Sequence, residues 1–250
     1  MNINPVASPS ASFKGNFVEN DKTRQVREMA EKSQDKNMHD AVEKLNNIKE
    51  LVERGCSDGY FWELTSKDEK LTPNSELIMY RNGTMVGSPQ KLRDLKKFAE
   101  ELEEPLVGDV VKNLKRMERD NIIKEGVDFK GEFVTLSPLW GLINREANKP
   151  LFPSKADIKA SNALKSYENY RELVRYGNSR YELLPSGQVY DVPKIDIKIF
   201  RDLRNIGVAG TYESLSAILD SSKSLIIDDL LSNLKRLNIK SGRKLAASIK

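Results

Sequence analysis

The amino-acid sequence predicts an α+β fold of two related helix-rich units, each with a small β-hairpin. The first observation is an internal repeat, because residues 92–117 align without a gap with residues 212–237. The second is that apolar residues in both segments recur with the helical period of a core-facing helix. The third is that strand-like stretches with turn dipeptides stand between the helical segments of each unit. A fixed repeat period is typical of a duplicated supersecondary unit, so both units are expected to share one architecture.

The composition of the 250-residue chain favours two packed domains. It is 38% hydrophobic and 31% charged, with a net charge of +4. One cysteine and one histidine exclude a disulfide framework and a zinc site of the usual Cys/His spacing. No apolar run approaches the roughly 20 residues of a membrane helix, and the first residues lack a secretory signal. We therefore expect a cytoplasmic protein without membrane contact, with a signal-less export route as the alternative.

Residues 1–37 are predicted to form a flexible N-terminal arm. Asn, Ser, Pro and Gly dominate its first 20 residues, in which Phe13 and Phe17 are isolated apolar side chains. One interpretation is a passive tail. The other is a docking peptide that binds a protein partner through these aromatic residues.

The first unit is predicted to span residues 38–147. Apolar residues keep a helical period from Met38 to Val52, and Gly55 is placed to end that helix. Residues 60–64 are β-rich, and we favour a buried strand over base stacking for their aromatic side chains. A hairpin follows over residues 76–86, because Asn82-Gly83 suits a type I′ turn.

The later part of the first unit is predicted to be a helix pair followed by two strands. Residues 92–102 form one amphipathic helix, and a break at residues 103–105 places Pro105 in the first turn of a second helix. Residues 122–126 and 131–138 then read as two strands around a glycine-containing turn. Trp140 begins another helix, where it is expected to pack or to mediate self-association.

A linker over residues 148–160 precedes the second unit, residues 161–250. Its leading helix repeats the first, since Glu172-Leu173-Val174 and Gly177 match Glu50-Leu51-Val52 and Gly55. Residues 181–184 and 188–192 are expected to flank a hairpin turn. The chain then ends in a basic tail, because residues 230–250 contain no acidic side chain.

The order of helix, turn, helix and wing over residues 92–140 resembles the winged helix-turn-helix proteins of bacterial regulators. The residues that carry the resemblance are Phe98-Ala99-Glu100-Glu101-Leu102, the helix from Val110 to Ile123, and Val134-Thr135-Leu136-Ser137-Pro138. A partial second copy covers residues 212–239, where basic residues follow in place of a wing. The resemblance implies that the second helix enters the major groove of double-stranded DNA and that the wing touches phosphate.

The residues implied to bind nucleic acid are all basic. In the first unit they are Lys112, Lys115, Arg116, Arg119 and Lys124. In the second unit and its basic tail they are Lys235, Arg236, Lys240, Arg243 and Lys244. The helix-start positions expected to meet base edges instead hold Gly108 and Asp109, and Asp228 and Asp229 in the second unit. A carboxylate at such a position repels the negatively charged phosphates of DNA.

No pattern in the sequence predicts catalysis. His39 lies near a helix start, where a capping or exposed role is expected, and Cys56 is a loop thiol with no histidine nearby in sequence. We also find no phosphate-binding glycine loop. The sequence therefore predicts a non-enzymatic protein with no cofactor and no metal.

Two functional hypotheses follow. The first is a DNA-binding or regulatory protein that uses the winged-helix-like module and the basic tail. The second is a protein-interaction adaptor of duplicated units, which contacts partners through the regions of Phe13, Phe17 or Trp140 without nucleic acid. The sequence leaves the oligomeric state and any effector open.

Overall fold

The computed structural model of the chain describes residues 15–124, 127–135, 151–185 and 194–248. These residues form two compact units, one of residues up to 123 together with those from 238, and one of residues 124–237. Each unit combines helices with a four-stranded sheet, so the predicted α+β fold of two units is confirmed.

The first unit begins with a short strand and ends with a long helix. Its elements are β1 (Asn16–Val18), α1 (Asp21–Lys32), α2 (Lys36–Gly55), β2 (Phe61–Thr65), β3 (Glu76–Arg81), β4 (Thr84–Lys91), a 3-10 turn (Leu92–Asp94) and α3 (Leu95–Arg119). The sheet order is β1-β2-β3-β4, with β1 parallel to β2 and the other pairs antiparallel.

The second unit repeats the order and direction of these strands. Its elements are β5 (Glu132–Thr135), α4 (Lys155–Arg175), β6 (Arg180–Pro185), β7 (Lys194–Arg201), β8 (Arg204–Thr211), α5 (Tyr212–Ser221) and α6 (Lys223–Ser248). The sheet order is β5-β6-β7-β8, and β5 is again the parallel strand. The predicted duplication is therefore confirmed at the level of strand order.

The core of each unit lies between the helices and one face of the sheet. Alternate residues of a strand point to opposite faces, so Trp62 and Leu64 of β2 are fully buried while Glu63 is only half-buried. The helices contribute an apolar stripe to the same core, for example Leu106, Val110 and Leu114 of α3. Among the residues whose burial is described, no buried side chain lies on the opposite face of either sheet.

The predicted N-terminal arm is wrong for residues 15–37. Strand β1 places Phe17 in the core with 2% of its surface exposed, and helix α1 buries Val26. Asn20 starts α1 with a capping box, a local signal that the polar composition of the segment obscured. Phe13 lies outside the described residues, as does Trp140.

The predicted break at residues 103–105 is also wrong. Helix α3 runs without interruption from Leu95 to Arg119 with Pro105 inside it. The second unit does divide its helices, and Ser222 lies at the break with its hydroxyl 2.8 Å from the Ile218 carbonyl oxygen. Leu102 occupies the equivalent position of α3, where it is fully buried and offers no hydroxyl to cap an ended helix.

In the described residues 121–124 and 127–135, the predicted wing does not form a hairpin. Residue 121 lies in a turn and residues 122 and 123 in bends, and β5 pairs in parallel with β6 of the second unit. The chain therefore divides at residue 123 rather than at residue 147, and α4 already begins at Lys155 inside the predicted linker. The prediction failed because the alternation of residues in a short strand does not indicate which other strand it will pair with, and the partner of β5 lies more than 40 residues away in sequence.

The second unit contains a hairpin that the sequence analysis missed. Strands β7 and β8 meet at Asp202 and Leu203, which both have positive φ angles of 48° and 70°. Asn82-Gly83 joins β3 and β4 in the same way, as predicted. Leucine is unusual at such a position, so the turn carried no sequence signal. The predicted strand 188–192 lies outside the described residues.

Candidate functional site

Both units bury an arginine–aspartate pair between the sheet and the last helix. Arg81 ends β3 at an inward-facing position, and its Nη1 lies 3.0 Å from Oδ2 of Asp109 on α3. Arg201 ends β7, and its Nη2 lies 2.7 Å from Oδ1 of Asp229 on α6. The two carboxylate side chains are only 8% and 12% exposed. The expectation that Asp109 and Asp229 occupy exposed positions facing base edges is therefore wrong.

A tyrosine completes each pair, but from different positions. Tyr60, just before β2, hydrogen bonds to Asp109, and burial together with that carboxylate raises the pKa of its phenol to about 12. Tyr181, within β6, places its hydroxyl 3.3 Å from Asp229 Oδ2, and burial likewise raises its pKa. Both phenols are therefore neutral hydrogen-bond donors at neutral pH.

An asparagine on the last helix of each unit holds the end of the leading helix. Asn113 Nδ2 donates to the Gly55 carbonyl at 2.8 Å, and Asn233 Nδ2 donates to the Tyr176 carbonyl at 3.0 Å. These bonds satisfy carbonyl groups that a helix end leaves unpaired. The asparagine of the repeated Asn-Leu-Lys-Arg run therefore has the same structural role in both units.

A cavity of about 230 Å³ opens beside this arrangement in the first unit. Its lining residues are Cys56, Ser57, Tyr60, Asp109, Lys112, Asn113 and Arg116. Since Asp109 is paired with Arg81, Lys112 and Arg116 leave the cavity with a surplus of positive charge. The cavity is therefore suited to a group that accepts hydrogen bonds.

Arg116 is partly engaged in this cavity. Its Nη2 donates to Asn113 Oδ1 at 3.0 Å, but its buried Nε has no hydrogen-bond partner in the described part of the chain. Burial, and secondarily the Asp109 charge, raise the pKa of the Cys56 thiol to about 12. The thiol is therefore protonated at neutral pH and is a poor nucleophile. Cys56 was expected to lie in a loop, but it is buried at the end of helix α2.

The predicted basic residues of the first unit separate into two environments. Lys112, Lys115 and Arg119 are exposed at positions three and four residues apart, so they share one outward face of α3. Arg116 is half-buried and lines the cavity, which Lys112 also borders from the exposed face. Lys124 is exposed but belongs to the second unit.

In the second unit only part of the predicted basic surface is described. Lys235 is exposed on α6, and the half-buried Arg236 donates to the side-chain Oδ1 of Asn233 and to the backbone carbonyl oxygen of Asp128. Lys240, Arg243 and Lys244 lie on the same helix, but their side chains lie outside the description. Arg236 is therefore a structural contact, as Arg116 is in part.

The remaining predicted candidates are structural or exposed. Trp62 is fully buried, which agrees with a buried strand, whereas Phe61 is 37% exposed on the opposite face of β2. His39 is exposed, with Nε2 2.9 Å from the Ser33 carbonyl oxygen. In the described ranges no group of three or more His, Cys, Asp or Glu side chains is arranged to hold a metal ion.

A second repeat escaped the sequence analysis. Phe13-Lys14-Gly15-Asn16-Phe17-Val18 and Phe129-Lys130-Gly131-Glu132-Phe133-Val134 are identical at five of six positions. We call each copy the strap. The straps are 116 residues apart rather than 120, so they fall out of register with the repeat of the helices. Each strap supplies the parallel edge strand of its own sheet.

The outer face of each sheet carries a carboxylate opposite an aromatic ring. Glu63 of β2 pairs with Tyr80 of β3, and Met85 of β4 continues this row. Glu182 of β6 pairs with Phe200 of β7 in the second unit. Exposed apolar side chains flank these pairs, and they include Phe61 at 37%, Met85 at 50% and Val208 at 51%.

Across the part of the chain that the structure describes, no helix has the length and apolarity required to cross a membrane. Comparisons with protein-family models, with curated proteins and with solved structures find no match for this chain.

Proposed function

We propose that this chain is a non-enzymatic adaptor whose two related units bind protein partners through the outer faces of their sheets. The observation that carries the proposal is the repeated carboxylate–aromatic pair, Glu63–Tyr80 and Glu182–Phe200, at equivalent places on both outer faces. Because the same surface feature occurs in both units, each unit could bind a partner through the same kind of contact.

Exposed apolar area supports this assignment. Met85 and Val208 are each about half exposed, and each lies on an edge strand of its sheet. Apolar side chains clustered on a sheet face and edge are typical of protein interaction sites, because water contact with them is unfavourable. Glu63 and Glu182 are each held within their own unit, by Asn20 Nδ2 at 3.3 Å and by the Arg180 guanidinium, so they place fixed polar groups on these faces.

The test replaces the aromatic residue of each pair. Tyr80→Arg together with Phe200→Arg is expected to abolish cross-linking of the full chain to its partners in extract, as identified by mass spectrometry. Lys112→Glu with Lys115→Glu is the matched control, because these substitutions lie on a helix instead of the outer face. Partners that persist with the arginine variant and disappear with the control would refute an outer-face adaptor.

Binding of double-stranded DNA is the second candidate function. It is favoured by the exposed stripe of Lys112, Lys115 and Arg119 and by the absence of acidic residues from 230 to 250. Three phosphate contacts would give a log–log salt dependence with a slope of about −3. The half-buried Arg116 is a poor target for charge reversal, since its loss also removes the Asn113 contact.

A mobility shift with random duplex DNA separates the two candidates. DNA binding predicts a shift at low salt that fades as salt rises and that is lost in the triple variant Lys112→Glu, Lys115→Glu, Arg119→Glu. The adaptor predicts no shift at either salt concentration. A shift that survives the triple variant would exclude this helix as the contact surface.

A further inference from the structure

The connection from the leading helix to the sheet is longer in the first unit than in the second. The glycine of each strap passes over its leading helix, and a Cβ atom on Gly15 would lie 2.1 Å from the Val52 carbonyl oxygen. A Cβ atom on Gly131 would lie 1.7 Å from the Val174 carbonyl oxygen, so the two valines are equivalent. Strand β2 begins nine residues after Val52, whereas β6 begins six residues after Val174. The longer connection of the first unit contains Ser57.

The last helices of the two units also differ in charge at one equivalent position. Asn113 and Asn233 correspond, because each donates to a backbone carbonyl at the end of its leading helix. The residue before the asparagine is Lys112 in the first unit and Ser232 in the second, and both are exposed. The first unit therefore has a cation where the second has a small neutral side chain.

The cavity of about 230 Å³ beside Asp109 has hydrogen-bond donors from both of these places. Ser57, Lys112 and Arg116 are among the residues that line it. In the described part of the chain, the side chains of Ser57 and Lys112 have no hydrogen-bond or ion-pair partner. Arg116 uses one donor on Asn113 Oδ1, and a guanidinium carries five. Three side chains therefore have donors available to a ligand in this cavity.

The carboxylate in this cavity does not cancel the positive charge around it. Asp109 Oδ2 lies 3.0 Å from Arg81 Nη1, and the Tyr60 hydroxyl is hydrogen bonded to the same carboxylate. Arg81 therefore balances Asp109, and the charges of Lys112 and Arg116 remain in excess. The volume lies below the roughly 300–1,000 Å³ of pockets for drug-sized ligands, so it suits a small anion. A phosphate group carries about 1.5 to 2 negative charges at neutral pH and accepts hydrogen bonds through several oxygens.

We propose that this cavity binds a phosphate group, either as the free ion or at the end of a small phosphate ester. The cations of Lys112 and Arg116 neutralise its charge, and the Ser57 hydroxyl donates to one of its oxygens. The site belongs to the first unit alone, because Ser232 replaces the lysine in the second unit. It includes none of the outer-face residues of the sheets, so it is independent of the proposed adaptor function.

Isothermal titration calorimetry of the full chain tests the site with inorganic phosphate and with glycerol 3-phosphate, in chloride buffer of matched ionic strength. Lys112→Ser introduces the residue of the second unit and is expected to weaken binding about tenfold, the effect of losing one charge-assisted hydrogen bond. Ser57→Ala is expected to weaken it about threefold, since it removes a neutral donor. Lys115→Ser is the matched control, because it removes the same charge from the same helix outside the cavity, and it should leave binding unchanged.

Tighter binding of inorganic phosphate would assign the site to the free ion, and tighter binding of the ester would assign it to a small phosphate ester. Absence of binding for both ligands at about 10 mM would overturn the proposal. Equal weakening by Lys112→Ser and Lys115→Ser would also overturn it, because the phosphate would then be held by the general charge of the helix. That second result would leave DNA binding by the exposed lysines as a candidate. Circular dichroism shows that each variant retains its fold, and Ser57→Ala decides if Lys112→Ser does not.

Discussion

Glu19 joins three elements of the first unit through two ion pairs. It lies between β1 and α1, with Oε2 2.7 Å from Arg27 Nη1 and Oε1 2.7 Å from Lys49 Nζ on α2. The hydrogen bond from Arg27 is the main cause that lowers the pKa of Glu19 to about 2, and Lys49 adds to it. In an unfolded chain this carboxyl group would titrate near its ordinary pKa of 4.5.

We therefore expect Glu19 to make stability depend on pH at the acidic end. The native state favours the charged carboxylate, so its contribution is complete above about pH 4.5 and is lost as the pH falls towards 2. Because the side chain is 37% exposed, Glu19→Gln should reduce the free energy of unfolding by only about 0.5–1 kcal/mol at pH 7. Urea titrations of both proteins from pH 7 to pH 2 measure this, and a difference that stays constant over that range would contradict it.

The environments of Asp109 and Arg116 could not be predicted from the sequence. Asp109 reads as an exposed helix-start residue, yet the side chain is paired with Arg81 from a strand 28 residues earlier. Arg116 reads as a phosphate contact, yet part of its guanidinium is buried. Neither partner is predictable from local spacing, because both depend on how the sheet and the last helix pack together.

At the scale of elements, the strap depends on a glycine at the helix crossing. Gly131→Ala places a Cβ atom 1.7 Å from the Val174 carbonyl oxygen, so the backbone must move. We expect this substitution to destabilise the chain by about 1–3 kcal/mol, as overpacking commonly does. Thermal or urea unfolding measures the change.

Gly108→Ala is the matched control for that substitution. Gly108 lies within α3, and no atom beyond its own helix turn approaches its Cβ position within 4 Å. Alanine should therefore stabilise the helix by about 0.5–1 kcal/mol. If Gly131→Ala stabilised the chain as Gly108→Ala is expected to do, the close approach at Gly131 would not limit stability.

The elements with local signals were predicted correctly, and those without were not. Helix α2 follows its apolar period, and the β3–β4 hairpin follows Asn82-Gly83. Proline at position 105 was expected to start a helix, but α3 continues through it. The buried stripe before and after Pro105 stabilises one continuous helix, and this tertiary gain outweighs the local cost of proline.

At the scale of the whole molecule, the chain consists of two compact units whose four-stranded sheets share one strand order. The second unit includes β5, which comes before the predicted linker. Phe133 of β5 contacts Tyr167 and Tyr170 of α4 at centroid distances of 5.3 and 6.0 Å. Strand β5 is therefore part of the core that α4 closes.

Truncation tests this division of the chain. A fragment of residues 124–237 should unfold in one cooperative thermal transition, because it retains the complete second sheet, α4, α5 and the part of α6 up to Leu237. A fragment of residues 148–237 lacks β5 and the rings of Phe129 and Phe133, so it should lose that transition. Equal cooperativity and equal melting temperatures in the two fragments would contradict the unit boundary.

The sequence by itself determined the duplication, the leading helices and the hairpin at Asn82-Gly83. These features depend on hydrophobic period and turn chemistry within a few residues, so they can be predicted without knowledge of the tertiary structure. Only the tertiary structure decided the partners of β1 and β5, the continuity of α3 and the burial of Asp109 and Asp229. Those outcomes arise from contacts between residues distant in sequence, where packing and desolvation outweigh local propensity.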